Sequence, residues 1–148
     1  MTVQSTFDIE RFVEAQASVY EQVRQELASG QKRSHWMWFI FPQIQGLGSS
    51  PTARLFAISG FDEAIAYLDH PVLGSRLREC AGLVYAVEDR SASEIFGYPD
   101  DLKFHSSATL FAEAARRKNA ADSGNRIFVD LLTKYFNGEP DRVTLARI

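Results

Sequence analysis

Two stretches of the chain gather more chemically capable side chains than a packed helix requires. In the first, His35, Trp36, Trp38 and Gln43 precede the turn Gly46-Leu47-Gly48-Ser49-Ser50. In the second, Asp101, Lys103, His105 and Ser107 follow Gly97-Tyr98-Pro99. The indoles offer flat apolar faces, and the glycine-rich turn can present backbone N–H groups to an anion. Lys103 adds a point charge, Gln43 and the serines add hydrogen-bonding groups, and His35, Asp101 and His105 are the candidates for proton transfer. Aromatic faces beside an anion-binding turn and a lysine suit a nucleotide-like or phosphorylated small molecule. The expected function is therefore a small-molecule binding or catalytic domain, provided the two stretches fold onto a common hollow. Catalysis itself is left open. The alternative is a non-catalytic interaction module that uses exposed aromatics to hold a partner helix or a second copy of the chain.

Several sharper readings fail on spacing. The glycine turn lacks the lysine of a phosphate-binding loop and the third glycine of a dinucleotide fingerprint, and a plain flexible turn also explains it. Ser-x-x-Lys is absent in that order, and His105 is next to Ser106 in sequence rather than placed opposite it. The three histidines, His35, His70 and His105, have no i, i+4 partner, which a helical zinc site would need. Cys80 is the only cysteine, so neither an internal disulfide nor a cysteine-based metal site is expected. No metal and no cofactor are expected. Five of the six residues from Trp36 to Phe41 are aromatic or methionine, more than one helical stripe can bury. Either this helix is buried on all sides or part of it faces a cavity. Any buried tryptophan N–H must find an acceptor in both cases.

The elements that would position these groups are helical. Apolar residues recur near every 3.6 positions from Ile9 through Phe12, Val13, Val19, Tyr20 and Val23 to Leu27, with Thr6 or Asp8 able to cap the start and Gly30 the end. Glu10, Glu14, Glu21 and Glu26 form its solvated face. A second helix opens near Ser34 and must stop at Phe41, before Pro42. Gln43–Ser50 reads as a loop, and Ala53–Ile58 as one helical turn or an extended piece. Phe61–Leu68 is a short helix. His70-Pro71 opens a longer one, with proline at its first position and Leu73, Leu77, Cys80, Ala81 and Val84 as its buried stripe. Ser91 and Glu94 have capping-box spacing. A long helix spans about Asp100–Arg117, with the two aspartates as caps and Phe104, Ala108, Phe111 and Ala115 inward. Asn125–Phe136 is strongly amphipathic, Asn137-Gly138 ends it, and a short helix closes the chain. The fold class is all-α, one compact domain over residues 1–148 with about six to eight helices.

Composition narrows the partners. With 45% hydrophobic and 24% charged residues, the chain is an ordinary folded globule rather than a disordered one. Net charge is −3, and the one basic cluster, Arg116-Arg117-Lys118, falls where it complements a helix C-terminus. No nucleic-acid footprint is expected. No apolar run approaches the roughly 20 residues that cross a bilayer, and the N-terminus lacks the order of a signal peptide. A cytoplasmic monomer or homodimer without membrane contact is expected.

Ser34-His35-Trp36-Met37-Trp38-Phe39-Ile40-Phe41-Pro42-Gln43, followed by Gly46-Leu47-Gly48 and Ser50, resembles the signature of an uncharacterised bacterial family, domain of unknown function 1810. The likeness continues through Ala64–Leu68, His70–Leu77, Glu94–Gly97, Asp100–Ser107 and Thr109–Phe111. The resemblance implies a compact multihelical fold, in agreement with the periodicity. It implies no established activity and assigns no role to any of these residues.

Overall fold

The computed structural model describes residues 7–118 and 124–148. Ten helices occur among the described residues: α1 (Glu10–Ala17), α2 (Tyr20–Ala28), α3 (Met37–Ile40), α4 (Pro51–Leu55), α5 (Phe61–Asp69), α6 (Leu73–Tyr85), α7 (Ala92–Phe96), α8 (Asp100–Arg117), α9 (Ile127–Phe136) and α10 (Arg142–Leu145). The chain is all-α, as the periodicity predicts, with more helices than the six to eight expected. One cause is a break in the first helical stretch between Ala17 and Tyr20. Its apolar pattern slips there, and Gln16 occupies the buried position instead of an apolar residue. The Gln16 amide N–H donates to the Phe39 carbonyl (2.7 Å) and the Tyr67 hydroxyl (3.0 Å), and its oxygen accepts from Arg76 (3.3 Å).

α8 is the central beam, in contact with α3, α5, α7, α9 and α10. Phe104, Ala108, Phe111 and Ala115 all lie in the core, as their spacing predicts. α6 buries its expected stripe too, including Cys80. Burial pushes the Cys80 thiol up to about 12, so it is a small core hydrophobe and not a nucleophile.

Local capping corrects some expectations and supports others. α1 begins at Glu10 with Ile9 as an N-cap that makes no side-chain bond, so Asp8 does not cap it. Thr6 lies outside the described residues. Pro71 precedes α6 rather than opening it. The N-cap is Val72, and the His70 ring supplies the acceptor at this end, its Nδ1 accepting from the N–H groups of Val72 (3.1 Å) and Leu73 (3.2 Å). The α5–α6 corner is so tight that a Cβ on Gly74 would lie 2.0 Å from the Leu68 carbonyl oxygen. Ser91 and Glu94 do form a capping box. Asp100 and Asp101 do not cap α8, whose N-cap is Pro99. Lys32 draws Asp100 away, and Asp101 accepts from the Leu102 N–H.

The segment after α3 shows why Ala53–Ile58 reads ambiguously. It forms one short helix, α4, and then an extended residue, Ile58. Ile58 pairs in parallel with Ile44, donating to the Gln43 carbonyl (2.8 Å) and accepting from the Gln45 N–H (2.8 Å). This single bridge closes residues 44–58 into a loop whose tip is the Gly46–Ser50 turn. No helix among the described residues is long and apolar enough to cross a membrane.

Candidate functional site

The residues around Trp36 are organised by one carboxylate. Glu26, expected in the solvated face of the first helix, is in fact 4% exposed. It accepts five hydrogen bonds: from the backbone N–H groups of Arg33 (2.7 Å) and Ser34 (3.0 Å), the Ser34 hydroxyl (2.6 Å), Gln22 Nε2 (2.9 Å) and the Trp36 indole Nε1 (3.0 Å). Burial pushes this carboxyl up, but the donors outweigh burial and hold it at about 2. Trp36 is thereby an anchor in the core, so the expected ligand-binding role does not fit its position. The N–H it had to satisfy was legible in the sequence, and its acceptor was not.

Three contacts bring the two motif stretches together. Lys32 Nζ pairs with Asp100 at 2.8 Å, with the lysine side chain 7% exposed. Phe41 meets Phe104 edge-on at 5.1 Å. Lys103 Nζ lies over the Trp38 ring at 5.3 Å, while a 3.6 Å contact to Asp100 keeps that lysine in place. Between the stretches lies a hollow of about 530 Å³, bordered by Trp38, Gln43, Gly48, Ser49, Ser50 and Ala53 on one wall. Lys103, His105 and Ser106 stand on the α8 wall, with Asp141 and Val143 of the C-terminal segment beside them.

Polar capacity is concentrated on the first wall. Among the described residues, the Leu47 N–H closes the turn over Gln45 and Gly46, while the backbone N–H groups of Gly46, Gly48, Ser49 and Ser50 donate to no protein acceptor. Neither do the Trp38 indole N–H and the Gln43 side-chain amide. Ser50 caps α4 by accepting from the Ala53 N–H at 3.1 Å. On the opposite side the groups are fixed. His105 stacks on Phe136, with centroids 3.9 Å apart and planes 7° from parallel. Its Nε2 donates to the Glu139 carbonyl at 2.7 Å, since a carbonyl oxygen can only accept. The Asp141 carboxylate accepts from the Ser106 hydroxyl (3.0 Å) and the Thr144 N–H (3.2 Å). These bonds hold α10 to α8.

Of the residues singled out in the sequence, Trp38, Gln43, Gly48, Ser49, Ser50, Lys103 and His105 border this one hollow. Gly46 borders a second, larger hollow across the turn. Trp36 and Ser107 are buried away from both. Ser107 is 1% exposed, and its hydroxyl has no hydrogen-bond partner among the described residues. His35 is exposed and Asp101 half-buried, and neither lines either of these hollows. The sequence reading missed Asp141 and Ser106, because the approach of α10 to α8 is a tertiary event with no local pattern. No group of three or more His, Cys, Asp or Glu able to hold a metal occurs among the described residues.

The family described as a protein of unknown function, DUF1810, matches residues 6–148. The solved structure of the conserved hypothetical protein Rv1873 from Mycobacterium tuberculosis superposes with a TM-score of 0.89 at 56% identity, over 96% of each chain. No curated protein matches the sequence.

Proposed function

We propose that this chain, which belongs to the DUF1810 family, binds a nucleotide-like or phosphorylated small molecule between the Trp38–Ser50 wall and α8. The supporting observation is the unspent hydrogen-bonding capacity of that wall. The backbone N–H groups of Gly48, Ser49 and Ser50, the Trp38 indole N–H and the Gln43 side-chain amide face no protein acceptor beside a hollow of about 530 Å³. Donors of this kind suit an anion, and the Trp38 face suits a flat ring. Lys103 supplies positive charge, and the bonded Asp141 carboxylate closes the far side. Of the three proton-transfer candidates from the sequence, His105 borders the hollow, and His35 and Asp101 do not. With Nε2 held by the Glu139 carbonyl, a proton-transfer step would run through Nδ1.

The interaction-module alternative draws on exposed aromatics, and Trp36, Met37 and Phe41 have almost no exposed surface. The small-molecule reading uses the partly exposed Trp38 instead.

The test is a thermal-shift titration with nucleotides and phosphorylated metabolites. A ligand at about 100 times its Kd raises stability by about 2.7 kcal/mol, which for a chain of this size is about 5 °C or more in Tm. Trp38→Ala and Lys103→Ala each remove most of the shift, whereas His35→Ala, outside the hollow, keeps it. Shifts that survive Trp38→Ala and Lys103→Ala, or an unshifted Tm across the panel, contradict the reading.

A further inference from the structure

Across the glycine turn lies the second hollow, of about 820 Å³, bordered by Arg11, Arg54, Arg147, Gly46, Ser59 and Asp8 among others. Its three arginines are not equivalent. Arg11 is fully committed: its guanidinium donates to the carbonyls of Leu55 (2.7 Å) and Ala57 (2.8 Å) and pairs with Glu63 at 2.8 Å. Glu63 is itself 2% exposed and accepts from the Ser59 N–H at 2.7 Å. That network is structural, tying α1 to α5 and to the segment after α4. The Arg54 and Arg147 guanidinium groups have no carboxylate, carbonyl or ring partner among the described residues. With Arg11 and Glu63 neutralising each other, the free charges on this hollow are two arginines against Asp8.

One of them, Arg147, lies against the turn. Gly46 has φ +94°, and a Cβ there would lie 2.2 Å from Arg147 Nη1. The guanidinium thus occupies the space of the missing side chain, against a backbone whose own N–H groups are unclaimed. Two unpaired forked donors and free amides bordering one concavity are the components of a phosphoryl-binding site.

We propose that the Arg54–Arg147 hollow binds a phosphoryl or pyrophosphoryl group. Gly48 borders this hollow and the one under Trp38, so the group is either a free anion or the anionic end of a ligand whose ring lies on Trp38. The second case rests on the function proposed above; the first does not.

Calorimetric titration of the intact chain with inorganic pyrophosphate tests the site, and a parallel titration with ADP separates the two sources. Pyrophosphate binds the parent, and Arg54→Ala with Arg147→Ala weakens it at least tenfold. Both side chains are exposed and unbonded, so the double variant folds. Arg126→Ala, at an arginine 74% exposed that faces Asp130, removes one positive charge elsewhere, against two in the double variant, and leaves binding unchanged. ADP binding that needs both Trp38 and the arginine pair supports the site as the anionic end of one ligand. ADP binding indifferent to the pair, with pyrophosphate dependent on it, supports a free-anion site. Pyrophosphate binding without any ADP binding supports the arginine site and contradicts the nucleotide reading. The site is overturned if pyrophosphate does not bind, or if Arg126→Ala weakens it as much as the double variant does.

Discussion

Replacing Glu26 with alanine lowers Tm by about 10 °C, at 2–4 °C per kcal/mol for a chain of this size. The variant leaves five donors without their acceptor, among them the indole N–H of Trp36, which is 1% exposed. Removing one side of a buried charged network costs about 3–5 kcal/mol. The loss falls on residues 32–36, so it loosens the lysine that pairs with Asp100 as well as the indole. Acid offers a second readout. The carboxyl is held at about 2 in the folded chain against an ordinary value of 4.5. A group lowered by folding contributes stability that is complete above the ordinary value and is lost as pH falls toward the lowered one. That gap corresponds to about 3 kcal/mol, at about 1.4 kcal/mol per pH unit. Denaturant melts of the parent and Glu26→Gln should therefore differ most above pH 4.5 and converge near pH 2. A Glu26→Ala protein melting within about 2 °C of the parent would show that water replaces the carboxylate at little cost.

Phe104→Ala has an effect of the same order through packing alone. The ring is 1% exposed. It stacks on Phe96 with centroids 4.5 Å apart, meets Phe41 edge-on at 5.1 Å, and touches Phe136 at 6.0 Å and Tyr135 at 6.2 Å. Truncating a buried phenylalanine costs about 3–5 kcal/mol, because a cavity remains that the neighbours fill only in part. Here the neighbours come from three other elements, the α3 end, α7 and α9, and they cannot all collapse inward together. Phe104→Leu should recover about half of the loss. Leu102→Ala, one helical position from the hollow's lysine but 54% exposed, should stay within about 0.5 kcal/mol. Chemical denaturation distinguishes these outcomes, and a Phe104→Ala loss below about 1 kcal/mol would contradict the account of the aromatic cluster. Phe104 lies between Lys103 and His105, so loss of ligand binding in this variant should follow loss of order in the first turns of α8.

Glu26 and Phe104 also mark the limits of what sequence reveals. Phe104 sits on a regular apolar period, and its burial was legible with that of Ala108, Phe111 and Ala115. The helices followed from the same periodicity wherever apolar residues alone occupied the inner face. Where a polar residue took an inner position, the reading failed. Gln16 broke the first helix in two and Glu26 passed for a solvated residue, because their partners lie on other elements. The sequence still held a signal, since Glu26 stands directly before Leu27 and three residues after Val23, both fully buried. Site membership divided the same way. Trp36 and Trp38 are indistinguishable by type, and the roughly half turn between the N-cap of α3 and its second residue sends one to the core and the other to the hollow. The approach of α10, which brings Asp141 to Ser106, depends on the path of the chain after Asn137 and leaves no local mark.

The claim that both motif stretches build one ligand site is tested most directly by ¹H–¹⁵N correlation spectra recorded during titration with ADP. The Trp38 indole N–H should shift together with the amides of Gly46–Ser50 and Lys103–Ser106, all along one saturating curve. The Trp36 indole N–H, bonded to Glu26, should stay in place. A Trp38 resonance that never moves while shifts gather elsewhere, or spectra unchanged at saturating ADP, would contradict the claim.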